Sequence, residues 1–243
     1  MLSRLAIALA VMSSVAFLVP ATASATPPVA TYEVTITNLT DGQPFTPPVV
    51  AVHRQPVDVF TVGEPASVEL QEIAENGNLP PMLAALDPAT NRHVSSLAPV
   101  GGPLVPDGLP GSADFDDSVT LTVTGDRGAK YLSWASMLIC TNDGFTGIDG
   151  LRLPKQVGDT VTVTAAGYDA GTELNTEDFA DIVPPCQGLV GISSGDPGTG
   201  MTNPALAEGG VIHHHDGVLG GNDLQPLHDW TDPVAMVTVE RIG

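Results

Sequence analysis

The 243-residue chain carries 28 Asp and Glu residues against eight Lys and Arg residues, which gives a formal net charge of −20 at pH 7. A field this negative repels nucleic acid, heparin-like polymers and anionic lipid headgroups and attracts cations, so we expect no nucleic-acid partner. Solubility, or a salty medium, is the simpler cause of the overall charge. After the N-terminal region no run approaches 18 uninterrupted apolar residues, so we expect no membrane insertion by the mature protein.

The N-terminus has the pattern of an export signal. Arg4 precedes an uncharged apolar run at 5–19, and a small-residue cleavage site follows at 23–25. The run is shorter than the ~20 residues that a membrane-spanning helix needs. We therefore predict a secretory signal peptide over 1–25 and one secreted or extracytoplasmic domain over 26–243. The alternative is an uncleaved N-terminal anchor.

The mature sequence opens on a strand, and helical patterns come next. Thr31–Thr37 alternates apolar and polar residues, which predicts a half-buried β-strand. Glu64–Asn76 has Pro65 near its start and Gly77 just past its end, which is the asymmetry typical of a helix. Pro80–Leu86 predicts a short second helix.

Further strands alternate with long loops in the rest of the chain. The loops at Pro99–Gly111 and Gly188–Gly210 are rich in Gly and Pro, which sustain neither a helix nor a β-ladder. The remaining predicted strands are Ser118–Thr124, Tyr131–Ile139, Thr160–Ala166 and Val234–Ile242. Each should bury one face and expose the other. The sequence therefore predicts an all-β antiparallel sandwich with one or two short helices and long Gly/Pro-rich loops.

Two acidic segments each follow a predicted strand. Asp143 lies in the segment 140–147, and Asp169 and Glu173 lie in the segment 168–173. If the two strand ends share one rim of the sandwich, these carboxylates can converge. Calcium takes six to eight oxygen ligands, typically carboxylates, turn carbonyls and water, so the segments are a candidate calcium site. The alternative is a pair of ordinary acidic turns.

The two cysteines, Cys140 and Cys186, both lie in the predicted exported part. An even number of cysteines in an oxidising compartment favours one disulfide bond, which would close a loop of about 46 residues. Two free buried thiols are the alternative.

A histidine-rich segment offers a second candidate metal site. On an extended chain His213 and His215 point to the same side, and His228 could supply a third ligand to a zinc-like ion. A solvated loop whose imidazoles cap turns explains the same residues without a metal, and we expect no catalytic zinc. No nucleophile elbow, P-loop or dinucleotide-binding glycine motif is present in the sequence, so no catalytic residue is predicted.

Four separated segments match a known family in the same order. They are TYEVTITNLTDGQPFTPPVVAVHR together with GEPASVELQEIAENGN, then SWASMLICTNDGFTGIDGLRL, then YDAGTE, and finally DWTDPVAMVTVERI. The segments resemble the spondin N-terminal domain family, especially its bacterial members, from about residue 30 to residue 242. The resemblance implies an extracellular β-sandwich related to the C2 type, with one calcium ion at a loop rim.

The carboxylates that the resemblance assigns to calcium are Asp143, Asp169 and Glu173. The chain has Asn-Asp-Gly where the family often has Pro-Asp-Trp, and Glu173 stands where an Asp is usual, which puts the affinity in doubt. The prediction is a secreted calcium-binding β-sandwich module that acts in extracellular adhesion or recognition, with an unidentified protein or glycan as partner and no enzymatic activity. The alternatives are a metal-dependent extracellular hydrolase that uses His213, His215 and His228, and a structural protein of the envelope.

Overall fold

The computed structural model describes residues 29–99 and 101–243. The predicted signal peptide, 1–25, lies outside the described residues. None of the helices in the described part has the length and apolar character needed to cross a bilayer.

Within the described residues, ten β-strands form two antiparallel sheets. In chain order they are β1 (Ala30–Asn38), β2 (Val49–His53), β3 (Val94–Pro99), β4 (Ser118–Gly125), β5 (Tyr131–Met137), β6 (Gly144–Arg152), β7 (Thr160–Ala165), β8 (Gly167–Asp169), β9 (His213–His214) and β10 (Ala235–Arg241). The four-stranded sheet has the order β4-β1-β10-β7, and the six-stranded sheet has the order β3-β2-β5-β6-β8-β9. The prediction of an all-β sandwich is confirmed, and all five predicted strands are present.

The four-stranded sheet follows the predicted alternation of burial. In β1, Val34 and Ile36 are fully buried against the second sheet, whereas Thr35 lies on the outer face. The Thr35 hydroxyl forms a hydrogen bond of 2.8 Å with the Thr120 hydroxyl of β4. One face of this sheet therefore packs into the core and the other carries polar side chains, as the period of two predicts.

The six-stranded sheet is buried on both faces. All five residues of β2 are buried: Val50 and Val52 face the core between the sheets, and Val49 and Ala51 face a second core. The expectation that Tyr131–Ile139 exposes one face is wrong, because the residues of β5 after Tyr131 are all buried. Helices and loops pack on the side of this sheet that sequence alternation assigns to solvent.

Three short helices contribute to this covering layer. They are α1 (Val68–Asn76), α2 (Pro80–Ala85) and α3 (Pro185–Val190). Helix α1 begins four residues later than predicted, at Val68, because the Ser67 hydroxyl accepts the Leu70 N–H at 3.2 Å and caps the helix there. The helix ends at Gly77, whose φ of 59° suits a residue without Cβ.

The antiparallel order gives the sandwich two distinct ends. The β5–β6 turn lies at one end, and Tyr131 pairs with Arg152 at the other. Tyr32 of β1 pairs there with Arg241 of β10, and the Thr31 N–H donates to the Gly243 oxygen at 3.0 Å. Strands of seven to nine residues at ~3.3 Å per residue separate the two ends by roughly 25 Å.

Candidate functional site

Asp143 is placed by a tight turn between β5 and β6. The Thr141 hydroxyl donates to the Leu138 carbonyl at 2.6 Å and accepts the Gly144 N–H at 2.9 Å. A Cβ on Gly144 would lie 2.5 Å from this hydroxyl oxygen, so the turn needs glycine at that position. The Asp143 carboxylate is thereby held at the end of the sheet, with no solvent exposure.

One oxygen of Asp143 is saturated and the other has no partner. Oδ2 accepts the Thr172 N–H at 2.7 Å, the Thr172 hydroxyl at 3.1 Å and the Glu173 N–H at 3.0 Å. Oδ1 is buried and accepts no hydrogen bond from the described residues. A buried carboxylate oxygen without a donor is costly, and a cation at Oδ1 would remove that cost.

Asp169 lies beside this turn because β8 pairs with β6. Gly144 is opposite Asp169 in the ladder, and the Ala170 N–H donates to the Asp143 carbonyl at 3.2 Å. The Asp169 side chain is 2% exposed; Oδ1 accepts the Gly171 N–H and Oδ2 accepts the Asn175 side-chain amide, both at 2.7 Å. The two predicted carboxylates at this rim are therefore brought to neighbouring positions.

Glu173 is nearby, but its carboxylate is engaged elsewhere. Its N–H donates to Asp143, whereas its side-chain Oε1 accepts the Asn203 N–H at 2.5 Å. Glu173 therefore contributes to the position of the Asp143 carboxylate through its backbone N–H. Because Oε1 accepts the hydrogen bond from Asn203, Oε2 is the carboxylate oxygen that would join an ion beside Asp143.

Burial and mutual repulsion shift the titration of these acids. Burial raises the pKa of Asp143 to about 6, and the Asp169 carboxylate acts in the same direction. Burial likewise raises the pKa of Glu173 to about 7, with further repulsion from Glu75, Asp143 and Asp181. The nearest basic group to Asp169 is His213, whose Nδ1 is 3.9 Å from Asp169 Oδ1. The cluster therefore has a deficit of positive charge that a divalent cation would fill.

The three predicted ligands do not form a compact set in the structure. Among the described residues, two sets of three His, Cys, Asp or Glu donors have ligand atoms within 4.8 Å of one another, namely Cys140, Cys186 and His228, and Asp178, Asp196 and Asp223. The first set contains a disulfide, and the carboxylates of the second already accept hydrogen bonds from Ala180, Ser194 and Phe179. An ion at Asp143 and Asp169 would need backbone oxygens and water to complete its coordination.

The two acidic segments, which were predicted to follow strands, are themselves partly strand. Gly144–Gly147 belong to β6, and Tyr168 and Asp169 belong to β8. Sequence alone did not indicate these strands, since β6 contains three glycines and β8 has three residues. Hydrogen bonding to β5 stabilises β6, although the local sequence of β6 has a low β-propensity.

The predicted disulfide between Cys140 and Cys186 is present, with both cysteines fully buried and a Cα–Cα distance of 5.1 Å. It ties the turn before Asp143 to helix α3. Gln43, also buried, accepts the Cys140 N–H at 2.6 Å and donates to the His228 carbonyl at 3.3 Å. The backbone around the rim is thus fixed by a covalent bond and by a buried amide.

The histidines do not form the ligand set that a hydrolase would need. His213 donates its Nδ1–H to the Val211 carbonyl at 3.0 Å, and its side chain is exposed. The ring centroid of His215 lies 4.9 Å from that of Trp230. His228 is buried, and its ring centroid lies 5.8 Å from that of Phe179. In the part of the chain that the structure describes, no set of His213, His215 and His228 has its ring nitrogens within 4.8 Å of one another.

Three supporting residues of the rim were not predicted. Thr172 donates hydrogen bonds to Asp143 from its N–H and its hydroxyl. The Asn175 side-chain amide donates to Asp169, and the Asn203 N–H donates to Glu173. Thr172 and Asn175 lie within the acidic segment or two residues beyond it, so a search for amides and hydroxyls near the acids would find them. Asn203 comes from a distant loop and has no local signal.

One comparison with known proteins gives a match. The Spondin_N family model matches residues 37–179, which is more than half of the chain. The matched range includes Cys140, Asp143, Asp169 and Glu173, but ends before Cys186. No curated protein matches the chain.

Proposed function

Because the chain belongs to the spondin N-terminal domain (Spondin_N) family, we propose that it is a calcium-stabilised recognition or adhesion module that acts outside the cytoplasm. Family membership supports an extracellular recognition-type module. We further propose that the module binds calcium and is exported from the cytoplasm.

The calcium part rests on one observation, the buried Asp143 Oδ1 that lacks a hydrogen-bond donor beside a second buried carboxylate, Asp169. Asp143 and Asp169 are the carboxylate ligands of the proposed site. Carboxylate and carbonyl oxygens are the donors that calcium prefers, and hard oxygen donors disfavour zinc or copper. The ion would offset the repulsion between the Asp143 and Asp169 carboxylates. It would thereby order this end of the sandwich, through which a partner protein or glycan is bound.

Calcium should stabilise the wild-type protein against heat. If it binds only the folded state, the gain is RT ln(1 + [L]/Kd), or about 2.7 kcal/mol at a hundredfold excess over Kd. Asp169→Asn should abolish most of this gain, because the amide keeps the shape of the side chain but removes its charge. Melting curves in calcium and in chelator, together with calorimetric titration of the metal-free protein, measure both effects.

Asp107→Asn is the matched control, since it removes one exposed carboxylate from another loop. It should respond to calcium as the wild type does. Equal melting temperatures of the wild-type protein in calcium and in chelator would refute the calcium part of the proposal, while an equal loss of the calcium response in both variants would show that only net charge matters.

The export part rests on the N-terminal sequence and on the buried disulfide, which oxidising compartments favour. Protein recovered from outside the cytoplasm of a bacterial expression host should begin at Thr26. N-terminal sequencing, or the intact mass, measures this. Recovery of protein that still begins at Met1 would contradict a cleaved signal and favour an anchor.

A further inference from the structure

The basic residues of this acidic chain are concentrated at one cleft. Five of its eight Lys and Arg residues line a single cavity of about 440 Å³, namely Arg127, Lys130, Arg152, Lys155 and Arg241. The cavity lies at the Tyr131 end of the sandwich, where β1 begins and where β6 and β10 end, opposite the turn that carries Asp143. With Arg4 in the N-terminal region, only Arg54 and Arg92 lie elsewhere in the rest of the sequence.

Within the described residues, no Asp or Glu side chain forms an ion pair with these five cations. Asp126 is the one carboxylate among the described residues that line the cleft, and Arg54 pairs with it at 2.5 Å. In the described part of the chain, none of the five basic side chains lies within 4.0 Å of an Asp or Glu carboxylate. In a chain with 28 acidic residues, this leaves the cleft with an excess of positive charge that is available to an external anion.

The cleft is also preorganised by the backbone and by an apolar floor. Arg241 is anchored by a hydrogen bond from Nε to the Gly243 oxygen at 3.0 Å and by a second one to the Lys155 carbonyl. Tyr32 and Leu153 are buried beneath it, at 4% and 5% exposure. Arg127, Lys130 and Arg152 are exposed at the cleft, where a ligand from solvent can reach them.

We propose that this cleft binds a compact, multiply charged phosphate group. The guanidinium fork matches phosphate oxygens in a bidentate way, and several cations around one cavity favour a ligand with more than one negative charge. A cavity of this size holds a small ligand. A long polyanion would extend over the surrounding acidic surface and be repelled, so the ligand is a small phosphorylated compound or the terminal headgroup of a larger one.

Inorganic pyrophosphate is the first probe, titrated calorimetrically into the full mature protein in 50 mM NaCl. The wild type should bind pyrophosphate. The double variant Lys130→Gln/Arg152→Gln should bind it at least ~10-fold more weakly, because the loss of one hydrogen bond to a charged group raises the Kd about tenfold or more. Arg92→Gln, which removes a cation outside the cleft, should change the Kd less than about twofold. Higher salt should weaken the wild-type binding.

Two further arms separate the sources of the phosphate. Co-sedimentation with phosphatidylglycerol vesicles that is lost in the double variant, without binding of pyrophosphate, assigns the cleft to a lipid headgroup. Pyrophosphate binding without co-sedimentation assigns it to a free phosphorylated ligand. The proposal is overturned if the wild type binds neither probe, if Arg92→Gln weakens binding as much as the double variant does, or if sulfate binds as tightly as pyrophosphate. Since the calcium site lies at the other end, its loss in Asp169→Asn should leave these results unchanged.

Discussion

Replacing Cys140 and Cys186 together with alanine should lower the free energy of unfolding by about 4 kcal/mol, since the bond closes a loop with a sequence separation of 46 residues. The bond restricts the unfolded chain, and its loss increases the entropy of the unfolded state. For a chain of this size the melting temperature should fall by roughly 8–16 °C. Urea unfolding of the double variant, with the slope compared to that of the wild type, measures the change.

The reduced wild-type protein is the control for this experiment. It should be destabilised to a similar extent, because reduction removes the same cross-link while keeping both sulfur atoms. A double variant as stable as the oxidised wild type would contradict the prediction, and would mean that Gln43 and the packing of α3 hold the rim without the bond.

The metal-free protein should lose stability as the pH rises from 4 to 7. The folded-state pKa values of Asp143 (about 6) and Glu173 (about 7) lie above the unfolded values of about 4. The folded state therefore binds more protons than the unfolded state in this window, so the stabilisation is complete below about pH 4 and is lost as the pH rises through the folded pKa values. Asp143 alone should contribute about 3 kcal/mol over its whole titration, of which roughly half is lost above pH 5.

Chemical unfolding of metal-free protein at pH 5 and at pH 8 gives the two values, and Asp143→Asn isolates the contribution of this one residue. The difference in unfolding free energy between wild type and variant should change with pH in the stated direction. A difference that is constant between pH 5 and pH 8 would contradict the raised pKa. Excess calcium should stabilise the wild type more at pH 8 than at pH 5, because the ion requires both carboxylates to be ionised.

Most of the strands that were predicted from sequence have a solvent-facing side, and Tyr131–Ile139 is the exception because both of its faces are buried. In Thr31–Thr37, apolar and polar residues alternate because the outer face of the strand contacts solvent, and this pattern can be read from the sequence alone. The strand Val49–His53 lacks this pattern because both of its faces are buried, and Gly144–Arg152 contains three glycines, so neither carries the alternation. Burial of the second face depends on helices that come from other parts of the chain.

The candidate sites, like the fold, were predictable only where the signal is local in sequence. Cysteine number and acidic turns are local signals, so the disulfide of Cys140 and Cys186 was predicted correctly, and Asp143 and Asp169 were singled out as candidate ligands that lie at the same end of the sandwich. The engagement of the Glu173 carboxylate by Asn203 depends on a contact 30 residues apart in sequence. The basic cleft was not foreseen, because residues such as Arg127 and Arg241 are separated by more than a hundred positions and the net charge of the chain conceals them.

The adjacency of Thr31 and Gly243 determines how the molecule responds to mechanical tension. Strands β1 and β10 pair antiparallel from Tyr32 and Arg241 at that end to Asn38 and Ala235 at the other. A force applied between residues 31 and 243 would load this ladder at one end, so the strand pairs would separate in succession, as in a zipper. A force along the strands would instead load all the hydrogen bonds at once. The protein is therefore mechanically weak when it is pulled by these two residues, and an anchored copy would yield there before its disulfide-linked rim was disturbed.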